Sequence, residues 1–279
     1  MCRSVLVLIL TVLCVSCAMK DGGAPDGPYL ILYAFASEGE LIASQMQTDT
    51  VEVQLGREVR VGSFAGKQIV LAESGIGMTN AAMSTQKLID AYHPTTVIMT
   101  GIAGALDSAV RIGDVVVCDS WAQHDYVYVG NEETRHQEIW LYSPEHDSVV
   151  GLTSFPVDSS LLHAARSLRT DELGLDDIDG RAPILHVGGV GVTGNAFIDS
   201  RHKRSELVSN FGAVITEMES AAVVQVCLVS RVPVIVLRSA SDLAGGSESV
   251  TAADEMNRFL AVAADNSAKI LENLLRAIN

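Results

Sequence analysis

Short apolar runs and segments of helical spacing alternate along most of this chain. YLILYAFA, from Tyr29 to Ala36, reads as a first buried strand. Thr50 to Val61 reads as two short strands around the turn LGRE. KQIVLAES, from Lys67 to Ser74, is another strand that runs into GIG. From Gly77 to Tyr92, Ala81, Met83, Leu88 and Tyr92 keep a helical spacing, which Pro94 stops. TVIMTG (Thr96 to Gly101) and DVVVCDS (Asp114 to Ser120) are strands again. Trp121 to Pro156 is polar and irregular, the expected place for a variable excursion. Leu161 to Leu168 reads as a helix, and ILHVGGVGVTG as a strand ending in glycines. Asp199 to Asn210 follows as a helix, AVITEME as a strand, and Ala221 to Ser230 as a helix. PVIVLRSASD, from Pro233 to Asp242, is a nearly continuous apolar strand.

The final element is the clearest. Thr251 to Ile278 has no glycine or proline, and Met256, Phe259, Leu260, Ala263, Ile270, Leu271 and Leu274 fall on one stripe. Thr251 followed by Asp254 supplies an N-cap and an acid in the first turn. Strand–helix alternation with β-branched strand runs predicts one α/β domain from about residue 28 to 279. Its sheet should be mixed but largely parallel, with helices on both faces. In such sheets, ligands bind beyond the carboxyl ends of the strands. The chemically suggestive residues fall there: Glu38 and Glu40 after the first strand, then SGIG, TGIAGA, TGNAFI, EME and SASD. Any one of these turns alone is as readily a packing device.

Charge narrows the partners. Of the 279 residues 48% are hydrophobic, and the formal net charge is −15. A surface this acidic repels phosphate backbones, so no nucleic-acid partner is expected. At the N-terminus, one arginine precedes an apolar run from Val5 to Val15, too short to span a bilayer and suited to a secretory signal. Val15-Ser16-Cys17 resembles a bacterial lipobox, which makes 1–17 a signal peptide with Cys17 lipidated, and 18–27 a flexible spacer. The protein is then exported and held to a membrane only through that lipid. Cys118 and Cys227 lie in apolar runs and read as buried thiols, with no disulfide framework. The seven histidines show no zinc spacing, so neither metal nor cofactor is expected.

Four pieces carry the most chemistry: FASEGEL, TGIAGAL, ITEMESAA and RSASDLA. Their order and spacing resemble the nucleoside phosphorylase/nucleosidase superfamily, and within it the 5′-methylthioadenosine/S-adenosylhomocysteine nucleosidases. The similarity runs from about Tyr29 to Leu275 and includes the tail DEMNRFLAVAADNSAKILENLL. The family's usual TGSAGG stands here as TGIAGA, so Ile102 replaces a hydroxyl. Its SGDxF stands as TGNAF, with Asn195 for an acid.

The resemblance implies cleavage of an N-glycosidic bond by water, with a nucleoside as partner and a homodimer as the assembly. It implies that Asp242 protonates the leaving adenine, with Ser241 helping to orient it, and that Glu40 activates the attacking water. Glu219 would accept the ribose hydroxyls, Met218 would pack on the sugar, Phe197 would stack on the base, and Ile198 would read the base edge. Ile76 and Gly104 would line the sugar and 5′ side. Arg238, inside the last strand, reads as a partner for a site carboxylate. Glu217 is left between supporting the site, a subunit contact and touching ligand. As a pair, Glu217 and Glu219 can also be read as acids capping the helix after them. His124 and Asp125 are left between the site rim, a subunit contact and an ordinary loop. Two other functions compete: a phosphorylase of the same superfamily, and a nucleoside-binding lipoprotein without turnover. Two carboxylates after the first strand favour water over phosphate.

Overall fold

The computed structural model describes residues 27–278. The expected signal segment, Cys17 and the spacer as far as residue 26 lie outside the described residues. The chain begins with β1 (Tyr29–Tyr33), α1 (Ala36–Gln45), β2 (Gln47–Gln54), β3 (Arg57–Phe64), β4 (Lys67–Glu73), α2 (Met78–Tyr92) and β5 (Thr96–Ala105). Next come β6 (Val115–Val117), β7 (Ser120–Gln123), β8 (Val127–Val129), β9 (Thr134–His136), β10 (Ile139–Ser143), β11 (Ser148–Leu152), β12 (Phe155–Pro156) and α3 (Ser159–Ser167). It ends with β13 (Leu185–Val187), β14 (Val190–Thr193), α4 (Arg201–Phe211), β15 (Ala213–Glu217), α5 (Ser220–Ser230), β16 (Val234–Asp242) and α6 (Ala252–Ala277).

The main sheet follows the order β12-β7-β14-β15-β5-β1-β4-β3-β2 and forks at β5, where β16, β6 and β13 branch away. Pairing is parallel for β1 with β4 and β5, for β16 with β5, and for β14 with β7 and β15. It is antiparallel for β15 with β5 and through the β2–β3–β4 meander. The fold is therefore a single α/β domain with a mixed, largely parallel sheet, as the alternation predicts. Helices α1 and α3 pack against α6, while α2 packs against α5. Every residue of β5 and β16 is buried, which is why TVIM and VIVL read as apolar runs with no polar face.

Three elements depart from the sequence reading. β1 stops at Tyr33, and the expected turn ASEGE is the opening of α1. A helix there carries Gly39 because a Cβ at that position would lie 2.6 Å from the Tyr33 ring. TGIAGA is not a turn either, since β5 continues through it to Ala105. ILHVGGVGVTG is two strands, β13 and β14, split at Gly188 and Gly189, both at positive φ. The excursion after Trp121 contributes β7 to the sheet and then forms two separate hairpins, β8–β9 and β10–β11.

A buried acid fixes the branch that bears β16. Asp114 accepts hydrogen bonds from Arg181 Nη1 at 2.7 Å, Arg111 N and Ile184 N at 3.0 Å, and shares one with His186 Nε2 at 3.1 Å. Its own carbonyl accepts the Ala240 N–H, two residues before Asp242. Burial works against the charge on Asp114, but the bonds from His186 and Arg181 win and hold its carboxyl below the ordinary range. A lowered carboxyl stabilises the fold fully above its unfolded value of about 4, and that contribution is lost as pH falls through the lower folded value. Asp114→Ala should cost about 3 kcal/mol in urea unfolding at neutral pH, with the gap to wild type closing in acid.

Candidate active site

A cavity of about 330 Å³ opens where the carboxyl ends of these strands converge, within the range of small-molecule sites. Ala34, Phe35 and Glu38 enter it after β1, and Ile76 after β4. Ile102, Ala103 and Gly104 come from the second half of β5. Ala196, Phe197 and Ile198 follow β14, Thr216 to Glu219 end β15, and Ser241 and Asp242 end β16. Met256 and Leu260 close it from α6.

Arg238 organises one side. Its guanidinium is buried and reaches Glu217 Oε2 at 2.5 Å, Glu219 Oε2 at 3.3 Å and Glu38 Oε1 at 3.5 Å. Burial disfavours its charge, but Glu217, Glu38 and Glu219 reverse that and hold its pKa above the usual value. Three carboxylates share one guanidinium, so they cannot all ionise without leaving uncompensated buried charge. Burial raises the Glu38 carboxyl above the ordinary range, with Arg238 opposing. Burial, then the neighbouring Glu217, pushes Glu219 up to about 8, against the pull of Arg238.

Each acid has a different local duty. Glu38 lies in the first turn of α1 and folds back, so that Oε2 accepts the Ala34 N–H at 2.6 Å and Oε1 the Ile102 N–H at 2.8 Å. Glu217 accepts from the Glu219 and Ser220 amides at the start of α5, from Ser220 Oγ at 2.8 Å and from Thr193 Oγ1. It is the helix-capping acid that the pair could be read as, and it also anchors Arg238. Glu219 turns towards the N-terminus of another helix, where Oε1 accepts the Gly77 N–H at 2.8 Å ahead of α2.

Asp242 stands apart from Arg238. Its Oδ1 accepts the Ala244 N–H at 2.8 Å and its Oδ2 the Ser241 hydroxyl at 2.9 Å. Burial raises its carboxyl to about 6; the bonds from Ala244 and Ser241 oppose this, and Glu255 and Asp199 add to it.

The cavity thus gathers Asp242, Ser241, Glu219, Met218, Phe197, Ile198, Ile76 and Gly104. It does not include Glu40. That residue is exposed and faces a separate surface cleft with Tyr33, Arg57 and Glu73, on the outer side of α1. Two residues along a helix is a rotation of about 200°, so Glu38 and Glu40 must face opposite ways. Glu38 takes the place expected for Glu40. Treating ASEGE as a loop concealed this; placing it in a helix would have revealed it. Ile102, marked in the sequence only as a replacement for a hydroxyl, lines the cavity too, together with Phe35, Met256 and Leu260, which the sequence pattern does not mark as lining groups. His124 and Asp125 support the base-side loop. The His124 N–H donates to the Thr193 carbonyl, its ring packs beneath Gly194, and Asp125 Oδ2 accepts the Asn195 N–H. Asn195 Oδ1 then accepts from Met78 at the start of α2.

A β-forked α/β domain with carboxylates converging at the strand ends has known counterparts. The sequence profile of the Phosphorylase superfamily matches residues 28–276, and the chain belongs to that superfamily. Within it, the 5′-methylthioadenosine/S-adenosylhomocysteine nucleosidase of Mycobacterium bovis is 31% identical over 223 residues, covering 77% of this chain and 83% of its own length. The crystal structure of the Neisseria meningitidis 5′-methylthioadenosine/S-adenosylhomocysteine nucleosidase in complex with methylthio-immucillin-A superposes with a TM-score of 0.73 at 29% identity, covering 90% of this chain and 99% of that one. Futalosine hydrolase of Helicobacter pylori superposes with a TM-score of 0.74 at 29% identity, covering 90% and 97%.

Gly101 tests the cluster. It sits at φ 153°, and a Cβ there would fall against both the Glu38 carboxylate and the Arg238 guanidinium. Gly101→Ala should therefore lower unfolding free energy by about 2 kcal/mol or more, measured by denaturant titration.

Proposed function

We propose that this chain hydrolyses the N-glycosidic bond of 5′-modified adenine nucleosides: 5′-methylthioadenosine, S-adenosylhomocysteine or 5′-deoxyadenosine. One observation carries the choice of water over phosphate. The described residues lining the cavity include Glu38, Glu217, Glu219 and Asp242, and none of them is Lys, Arg or His. The buried Arg238 is already held by three carboxylates. A phosphate nucleophile would meet negative charge with no free cation, whereas water meets a base.

The roles follow from position. Asp242 donates a proton to the departing adenine. With its carboxyl near 6, about a tenth of it is protonated at pH 7 in the open site, and burial by a bound base raises that fraction. Glu38 orients and deprotonates the water. Glu219 accepts the sugar hydroxyls, and a sugar acquiring cationic character favours its ionised form. Gly77 N–H and Arg238 fix its two oxygens for that task. Phe197 and Ile198 bracket the base, and Met218 packs on the sugar. A binder without turnover would need no carboxyl tuned like Asp242 beside a second acid such as Glu38.

Ile76 and Phe197 line the cavity yet stay about half exposed, at 52% and 46%. This supports a homodimer in which a second copy covers the mouth. The lipobox-like Val15-Ser16-Cys17 supports export and lipid anchoring, and with them a role in purine and methionine salvage outside the inner membrane.

Purified protein should release adenine and free methylthioribose from methylthioadenosine at a rate that added phosphate does not change. A phosphorylated sugar product would overturn the reading, and futalosine belongs in the same substrate panel. Glu38→Gln should lower kcat about a hundredfold or more, while Glu40→Gln stays within about twofold of wild type. Because the acid form of Asp242 is required, kcat/KM should fall as pH rises above about 6, the value to which burial lifts that carboxyl.

A further inference from the structure

The turn after Asp242 is wound around another carboxylate. Glu255 stands in the first turn of α6 and is 5% exposed. Its Oε2 accepts the Leu243 N–H at 2.9 Å and its Oε1 the Ser247 N–H at 3.0 Å. Both oxygens therefore face the turn. Between those two amides, Ala244, Gly245 and Gly246 all have positive φ, at 46°, 120° and 69°. For Ala244 this is a strained conformation that the surroundings must impose. The bend at Ala244 is what presents its N–H to Asp242 Oδ1. Further along, the Ala252 N–H donates to Asp199 Oδ1 at 2.9 Å, and Arg201 donates to the Ser247 carbonyl. Asp199 directly follows Phe197 and Ile198, so these ties join the acid's turn to the base-side loop.

We propose that Glu255 is a positioning residue for the reaction: its carboxylate fixes the 243–247 turn and through it aims Asp242 at the leaving base. This rests on Asp242 being the general acid. Glu255 does not line the nucleoside cavity, and it reaches Asp242 from the far side of the turn, beside a second cleft. The charged groups facing Asp242 come from three elements. Glu255 is on α6, Asp199 precedes α4, and Arg204 lies on α4, where Asp107 also faces it. Burial does most to keep the proton on Asp242, and Glu255 and Asp199 act in the same sense. Removing the Glu255 charge should release that proton more readily, while losing the Ala244 N–H from Oδ1, a bond that opposes the rise, would work the other way.

The test compares wild type with Glu255→Gln and with Asp254→Asn, its exposed neighbour whose side chain serves only its own helix cap. Two readouts are needed: the pH dependence of kcat/KM for methylthioadenosine, and the titration of Asp242 by carboxyl carbon NMR, its signal assigned by its loss in Asp242→Asn. In Glu255→Gln, kcat should fall about tenfold. The Asp242 midpoint and the alkaline limb of kcat/KM should both move from their wild-type values, and move together. Asp254→Asn should match wild type in both. An Asp242 titration unchanged in Glu255→Gln overturns the proposal, even if turnover falls. The NMR readout does not need turnover. A wild-type protein that releases no adenine would sink the nucleosidase reading, while the midpoint would still decide the role of Glu255. If the glutamine variant does not fold, Glu255→Asp carries the test. Its shorter side chain should lower kcat and move the midpoint, and wild-type values for both would overturn the proposal.

Discussion

The buried guanidinium of Arg238, held among three carboxylates, is the constraint on which the site depends. Burying an ion is expensive unless its partners are placed well enough to offset the lost hydration. Here the partners come from three directions: Glu38 from α1, Glu217 from the end of β15, and Glu219 from the threshold of α5. Meeting that electrostatic demand draws those elements to one point. It explains why β5 needs Gly101, whose missing side chain leaves room for two charged groups. It also explains why Glu217 is fully occupied. An acid that caps α5 and holds the guanidinium has nothing left for a ligand.

The site then separates its carboxyl groups by environment. Glu38 and Glu219 sit within reach of a fixed positive charge. Asp242, on the same strand as Arg238 but beyond it, is surrounded instead by apolar walls and by the acids Glu255 and Asp199. One group of carboxyls lies beside a fixed positive charge and the other without one, a difference set by the local surroundings alone. Helix ends reinforce the division. The start of α2 faces Glu219 through Gly77, and the sharp turn before α6 faces Asp242 through Ala244.

Much of this was legible in the chain itself. Short β-branched apolar runs such as TVIM and VIVL, bounded by glycine and proline, read as strands covered on both faces, and acids placed after such strands mark the ligand edge. Asp242 and Glu219 could be picked out for that reason, and Arg238 could be paired with a carboxylate because an arginine within an apolar strand must find one. Which acid after Tyr33 faces the cavity, Glu38 or Glu40, was not legible. The choice depends on whether the chain turns or coils after Tyr33, and the glycine between the two acids suppresses the helical signal. That glycine answers to the Tyr33 ring, a tertiary contact with no local trace. Glu255 was invisible for a related reason. In the sequence it is an ordinary acid near a helix start, and only the folded turn shows which amides it receives.

The cavity wall has a consequence for molecules that resemble the substrate. Adenine nucleotides offer the same base and the same ribose hydroxyls as a 5′-modified nucleoside, but carry phosphate on the 5′ carbon. Bound in the same cavity, that phosphate would share the space with the carboxyl groups of Glu38, Glu219 and Asp242. It would lose its hydration there and find no cation in return. The site therefore discriminates by what it withholds. A competitor with the right base is turned away without any contact made for the purpose.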